Sequence, residues 1–181
     1  LRERRDLQPT SITDLFTIGI GPSSSHTVGP MRAARDFVER ALARADIGEV
    51  ICELYGSLAL TGHGHATDTA ILLGLAGNTP EGVCPDAIAG IVADIRESGR
   101  LNLAGRVEIN FAEALHLLFH KGEFLPGHAN AMRFIARYAD GSDMQEIYYS
   151  IGGGAIEREG AEAQRTNFTL THPFGSGEEL L

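Results

Sequence analysis

Cysteine is scarce in this chain of 181 residues: Cys52 and Cys84 stand alone, in unlike surroundings. Two isolated thiols cannot by themselves hold a four-iron cluster, which takes four thiolates. Cys52 alternates with apolar residues and reads as a buried small hydrophobe. Cys84, in Gly82-Val83-Cys84-Pro85, lies in a turn and reads as inert rather than as a redox group or ligand. Positive charge is short as well, with 15 Lys and Arg against 24 Asp and Glu and a formal net charge of −9. That balance repels nucleic acid and anionic membrane, and removes both as main partners. Nothing approaches the roughly 18 consecutive apolar residues of a membrane span. Residues 1–5 are basic with no apolar core behind them, so they do not form a signal peptide, and a cytoplasmic protein is expected. With no repeat, no low-complexity tract and 43% hydrophobic residues, the chain fits one globular domain with a sizeable core. Its last residues, Gly177-Glu178-Glu179-Leu180-Leu181, read as the beginning of something further, and an excised domain is expected.

The stretch that packing does not ask for is Gly19-Ile20-Gly21-Pro22-Ser23-Ser24-Ser25-His26-Thr27-Val28-Gly29-Pro30. Glycines and a proline precede four small hydroxyl residues around a histidine, and a helical pattern then begins. Such a segment can offer amides, hydroxyls and one imidazole to a small anionic or zwitterionic ligand at a helix N-terminus. Ser and Thr are also the preferred helix caps, so an ordinary capping loop explains the same residues.

Residues 1–10 read as a polar arm, and 11–20, with Ile12, Leu15, Phe16 and Ile18, as a short helix. Met31, Ala34, Val38, Ala41 and Leu42 recur at helical spacing and predict an amphipathic helix over 27–45, with Pro30 in its first turn. Residues 49–60 alternate as a strand, followed by Gly62-His63-Gly64-His65-Ala66-Thr67-Asp68 and a helix ending near Gly77. A third helix is predicted over 86–98 and a strand over 106–111; 113–120 reads as a short connecting segment. Residues 132–138 and 144–151 form a hairpin about Asp140-Gly141, and 164–171 a last strand. A hairpin and flanking strands mixed with helices predict an α+β sandwich, its largely antiparallel or mixed sheet of about four strands covered by helices.

Five of the seven histidines fall in glycine-bearing or turn-like segments: His26, His63, His65, His120 and His128. His65 is the best candidate for a general base, because a neutral imidazole near its unperturbed pKa of ~6.5 accepts a proton at physiological pH. Asp68 can cap the following helix or orient that imidazole. Zinc is a weaker reading, since His-x-His lacks a supporting carboxylate and histidine set one helical turn apart. Ser23, Ser24 and Ser25 lack a nucleophile-elbow pattern, and the glycines spell neither a P-loop nor a dinucleotide fingerprint. Asn130 and Ser150 can bind the polar ends of a small molecule if the sheet brings them near the histidine loops.

Three stretches together carry a resemblance: the loop from Gly19 to Met31, Tyr55-Gly56-Ser57-Leu58-Ala59-Leu60-Thr61-Gly62-His63-Gly64-His65-Ala66-Thr67-Asp68, and Tyr148-Tyr149-Ser150-Ile151-Gly152-Gly153-Gly154, with His128-x-Asn130 between. In this order, and over residues 11–181, they resemble the β domain of bacterial iron-sulfur L-serine dehydratases. The resemblance implies an ammonia-lyase that converts L-serine to pyruvate and ammonia, and a fold similar to the allosteric substrate-binding domain of D-3-phosphoglycerate dehydrogenase. It implies a 4Fe-4S cluster held by a separate α domain, fused or a second subunit, with none on this chain. The expected partners are that α domain, L-serine and a second copy in a homodimer. By position, His65 matches the residue expected to take the α proton. Ser24, Ser25, His26, Thr27, His63, Asp68, His128, Asn130 and Ser150 are the expected substrate-binding residues. At His63 the family pattern has lysine. The rival expectation is a regulatory module that binds serine or another small anion without reacting it.

Overall fold

The computed structural model describes residues 18–161. Helix α1 (Val28–Ala41) is followed by strand β1 (Ile47–Tyr55), a six-residue helix α2 (Gly56–Thr61), a 3-10 turn over Gly62–His65 and helix α3 (Thr67–Leu75). Helix α4 (Pro85–Ser98), the hairpin β2 (Arg100–Leu103) and β3 (Val107–Asn110), a single turn α5 (Glu113–His116) and β4 (Leu117–His120) come next. Strands β5 (Asn130–Tyr138), β6 (Asp143–Gly152) and β7 (Ala155–Arg158) complete it. The main sheet has five strands in the order β4-β1-β5-β6-β7; β1 and β4 run parallel and the other pairs antiparallel. The fold is therefore the expected α+β class with a mixed open sheet.

Alternation along β1 decides what each face meets. Val50, Cys52 and Leu54 are fully buried on the face covered by α1. There Phe37 of α1 stacks on Phe134 of β5 at 5.2 Å, and Tyr148 meets Phe134 edge-on at 5.7 Å. Burying a side chain of that size contributes about 1.5–3 kcal/mol. The other face holds an ionic group: the Glu53 carboxylate takes hydrogen bonds from Arg133 and Tyr55 and lies 3.2 Å from His120 Nε2. Burial would raise the Glu53 carboxyl, and the Arg133 guanidinium brings it below its usual value instead. Among the described residues no helix is long and apolar enough to cross a membrane.

Four readings of the sequence change. The strand predicted to run to residue 60 ends at Tyr55, because Gly56 turns left-handed (φ +56°) and a Cβ there would lie 2.2 Å from the Ala129 carbonyl oxygen. Leu58, Ala59 and Leu60 then belong to α2. The segment read as a connection contains β4, paired to β1 from Cys52↔Leu117 to Tyr55↔His120. On this edge strand Leu117 is buried and Leu118, Phe119 and His120 are half-buried, so the run shows no alternation of apolar and polar residues. The hairpin strand β2 is also additional. Residues 18–20 are not helical, while 11–17 and the strand predicted at 164–171 lie outside the described residues.

α1 and α3 cross at Gly74, where a Cβ would lie 2.3 Å from the Met31 carbonyl oxygen and 2.8 Å from Ala34 Cβ. Alanine gains roughly 0.8–1 kcal/mol over glycine inside a helix, whereas overpacking costs about 1–3 kcal/mol and more where backbone must move. Gly74→Ala is therefore expected to lower the thermal midpoint by a few degrees; an unchanged or raised midpoint would contradict this packing.

Candidate functional site

The serine loop is wound on itself before α1 begins. The Ser23 carbonyl accepts the amides of His26 (3.1 Å) and Thr27 (2.9 Å), and the Ser24 carbonyl accepts that of Gly29 (2.9 Å). Thr27 is buried and donates its hydroxyl to the Ser23 carbonyl at 2.7 Å rather than capping α1. These amides are spent inside the loop. What it presents outward is side chains, with Ser24, Ser25 and His26 all partly exposed.

His26 lies at the centre of a hydroxyl cluster. Its Nδ1 is 3.0 Å from Ser25 Oγ and 3.3 Å from Ser23 Oγ, and its Nε2 is 3.1 Å from Ser57 Oγ on α2. Thr67, at the start of α3, donates to the His26 carbonyl at 2.7 Å. Burial, together with the neighbouring His65, holds the His26 imidazolium below the usual value of 6.5, while the Ser57 contact pulls the other way. The ring is therefore neutral near pH 7.

The His65 ring is 4.8 Å from that of His26. Its Nδ1 is 2.9 Å from the Thr61 carbonyl oxygen. A carbonyl only accepts, so Nδ1 carries the hydrogen and Nε2 of the neutral ring keeps its lone pair. The residue after it, Ala66, is left-handed (φ 58°, ψ 34°), a conformation that costs a non-glycine residue of order 1–3 kcal/mol and clusters at functional sites. It turns the chain sharply from the histidine turn into α3.

His63 stacks on Phe119 of β4 with ring centroids 4.0 Å apart, and its side chain is 63% exposed. Asp68 makes no capping bond; its carboxylate pairs with Arg96 of α4 at 2.9 Å and lies 3.8 Å from His63 Nδ1. It thus faces His63 rather than His65. A groove of about 690 Å³ along α4, lined among others by Ile20, Thr69, Ile88 and Val92, shares Arg96 with this pair. None of the three histidines lines it.

The remaining candidates meet α2 from the other side. His128 Nδ1 accepts the Asn130 amide at 3.0 Å, and Asn130 Nδ2 donates to the Ser150 carbonyl at 3.2 Å. Asn130 bridges to Gly56, and the Ala129 carbonyl accepts the Ser57 amide at 2.8 Å. Ser150 is fully buried beneath α1, its hydroxyl without a hydrogen-bond partner among the described residues and 2.0 Å from where a Gly29 Cβ would stand. The structure thus gathers His26 and His65 at one place, sets His63 and Asp68 beside them, and ties His128, Asn130 and Ser150 to the strand end beneath. Sequence reasoning missed Ser57, Thr61, Thr67 and Arg96. Ser57 and Thr61 were readable only as a hydroxyl pair four residues apart, directly after Gly56.

The two cysteines do not fit a cluster: Cys52 is buried in the core and Cys84 is exposed at the start of α4. Among the described residues no group of three or more His, Cys, Asp or Glu side chains is placed to hold a metal ion.

Residues 11–161 match the family model described as serine dehydratase beta chain. The chain is 45% identical over 179 residues to an L-serine dehydratase of Streptomyces coelicolor and 44% identical over 177 residues to L-serine dehydratase 1 of Escherichia coli. An L-serine dehydratase of Helicobacter pylori is 36% identical over 177 residues. Each alignment takes in 94% of this chain and 39% of the relative, so the chain spans about two fifths of the length of these curated relatives. With a match that covers most of its length, the chain belongs to the serine dehydratase beta chain family.

Proposed function

We propose that this chain supplies the substrate-binding and proton-abstracting wall of an L-serine ammonia-lyase that makes pyruvate and ammonia. The observation that carries the reading is the single free lone pair of the histidine pair: His65 Nδ1 is committed to the Thr61 carbonyl, leaving Nε2 to act as base. In this reading Nε2 takes the α proton of L-serine as the Cα–H electrons form the double bond and the β-hydroxyl departs. The resulting 2-aminoacrylate tautomerises to an imine, which water hydrolyses to pyruvate and ammonia.

The binding roles follow exposure. Ser24, Ser25 and His26 face the substrate carboxylate, and His63 with Asp68 and Arg96 sets the charge at the rim. Thr27 and Ser150, both buried, support the loop and α1 from within. His128 and Asn130 brace the strand end from which α2 starts. This chain supplies binding and proton abstraction. The length of the relatives outside the alignment supports a site completed by a further domain, the α domain.

In the complete enzyme, His65→Gln is expected to lower kcat for pyruvate formation about 10²–10⁴-fold, the usual contribution of a general base; wild-type turnover would remove His65 from that role. The purified 181-residue chain without its partner domain is expected to make no pyruvate from L-serine, and production of pyruvate by it would contradict the shared-site reading. NMR titration should place His26 below the usual 6.5. Because its folded-state pKa is depressed, the unfolded chain takes up the proton first as pH falls below 6.5, and stability declines from there through the folded-state value. A His26 pKa at or above 6.5 would contradict the half-buried, His65-facing environment.

A further inference from the structure

We infer that the groove along α4 is the docking surface for the further domain that completes the site, and that it takes an apolar segment of that domain flanked by basic residues; this rests on the shared-site reading above. The groove has a volume of about 690 Å³. Ile88, Ala89, Val92 and Ala93 of α4 line it, repeating at the spacing of one helix face. Ile20, at the start of the serine loop, and Thr69, in the first turn of α3, line it as well. Of the residues of α4 only Val92 and Ile95 are buried; Ile88 and Ile91 are half-buried and Ala89 is exposed. An apolar stripe left this open on a surface helix marks an interaction face.

Position and charge select the occupant. Arg96 lines the groove and pairs with Asp68 at 2.9 Å, and Asp68 lies 3.8 Å from His63 Nδ1, so the apolar surface runs into the rim of the histidine site. A domain that closes over His26 and His65 from this side meets α4 in the same contact. With 39% of each relative aligned, about three fifths of its length is left to supply such a domain. The Arg96 charge is already matched by Asp68 and by Glu113 at 2.8 Å. Asp86, Asp94 and Glu97, along the same helix, have no ion-pair partner among the described residues. The lip is therefore net negative: it suits an apolar segment with Lys or Arg at its ends and repels an acidic one. A second copy of this chain, with its net charge of −9, would bring the same acidic lip to the contact.

The test uses the complete enzyme in two forms. In the first, the thiol of Ala89→Cys is alkylated in parallel with that of Glu108→Cys, a control on the exposed hairpin β2–β3. Position 89 is expected to react about tenfold more slowly or less, because the core of an interface excludes solvent; equal rates would overturn the inference. In the second, Glu97 at the rim is replaced by the photo-crosslinking residue p-benzoylphenylalanine, and the crosslinked peptide is identified by mass spectrometry. The expected product joins position 97 to an apolar segment of the α domain that has Lys or Arg at its ends. A crosslink to residues 1–17 or 162–181 of this chain, to a second copy of it, to an acidic segment, or to nothing would overturn the inference. Neither readout depends on turnover. If both results hold in an enzyme that does not convert L-serine, the L-serine reading fails and the docking surface stands. If the enzyme converts L-serine while position 89 reacts as freely as the control, the docking surface fails alone.

Discussion

The arrangement depends on one backbone conformation, the left-handed Gly56 at the end of β1. A strand that continued there would carry Ser57 and Thr61 along the sheet. Instead the chain turns against the Ala129 carbonyl and starts a helix whose first two amides are taken by carbonyls of 123 and 129. The hydroxyl of Ser57 and the carbonyl of Thr61 then point to two histidines that lie 39 residues apart in sequence but 4.8 Å apart in space. A side chain at position 56 would collide with backbone, which cannot yield as a flexible side chain can. The site is therefore built on a strand end, with the helices behind it as ballast.

That ballast is close-packed where it matters. Gly29 lets α1 settle onto Ser150 of β6, and Gly74 lets α3 settle onto α1. These contacts hold the start of α1, and with it the serine loop, at a fixed height above the sheet. On the opposite face, Glu53, Arg133, Tyr55 and His120 form a partly buried ionic group beneath the same strand end. His120 also lies 3.4 Å from Glu123, whose carbonyl receives the Gly56 amide. Both faces of the sheet thus converge on the point where α2 begins.

Much of this was legible in the sequence, where the physics is local. The spacing of Met31, Ala34, Val38 and Ala41 located α1, and Asp140-Gly141 located the β5–β6 hairpin, because helical period and turn chemistry act over a few residues. The parallel pairing of β4 with β1 was not legible. Leu117, Leu118 and Phe119 show no alternation, and their partners are some 65 residues earlier. In the site, His26 and His65 stood out by residue type and by motif. Ser57 and Thr61 did not, since a serine and a threonine after a glycine have many ordinary uses and their meaning comes from a ring brought in by the fold. Asp68 likewise offered two local roles, a cap or a partner for His65, and tertiary structure gave it to Arg96 and His63 instead.

The central claim is that the lone pair on His65 Nε2 faces the α carbon of L-serine. A crystal structure of the complete enzyme with L-serine, or with a serine analogue that cannot eliminate, tests it most directly. The account predicts the carboxylate at Ser24 and Ser25 and the α carbon within about 3–3.5 Å of His65 Nε2, the separation of a near-attack geometry. A ligand bound in the same loop with its α carbon turned away from His65 and against another base would contradict it.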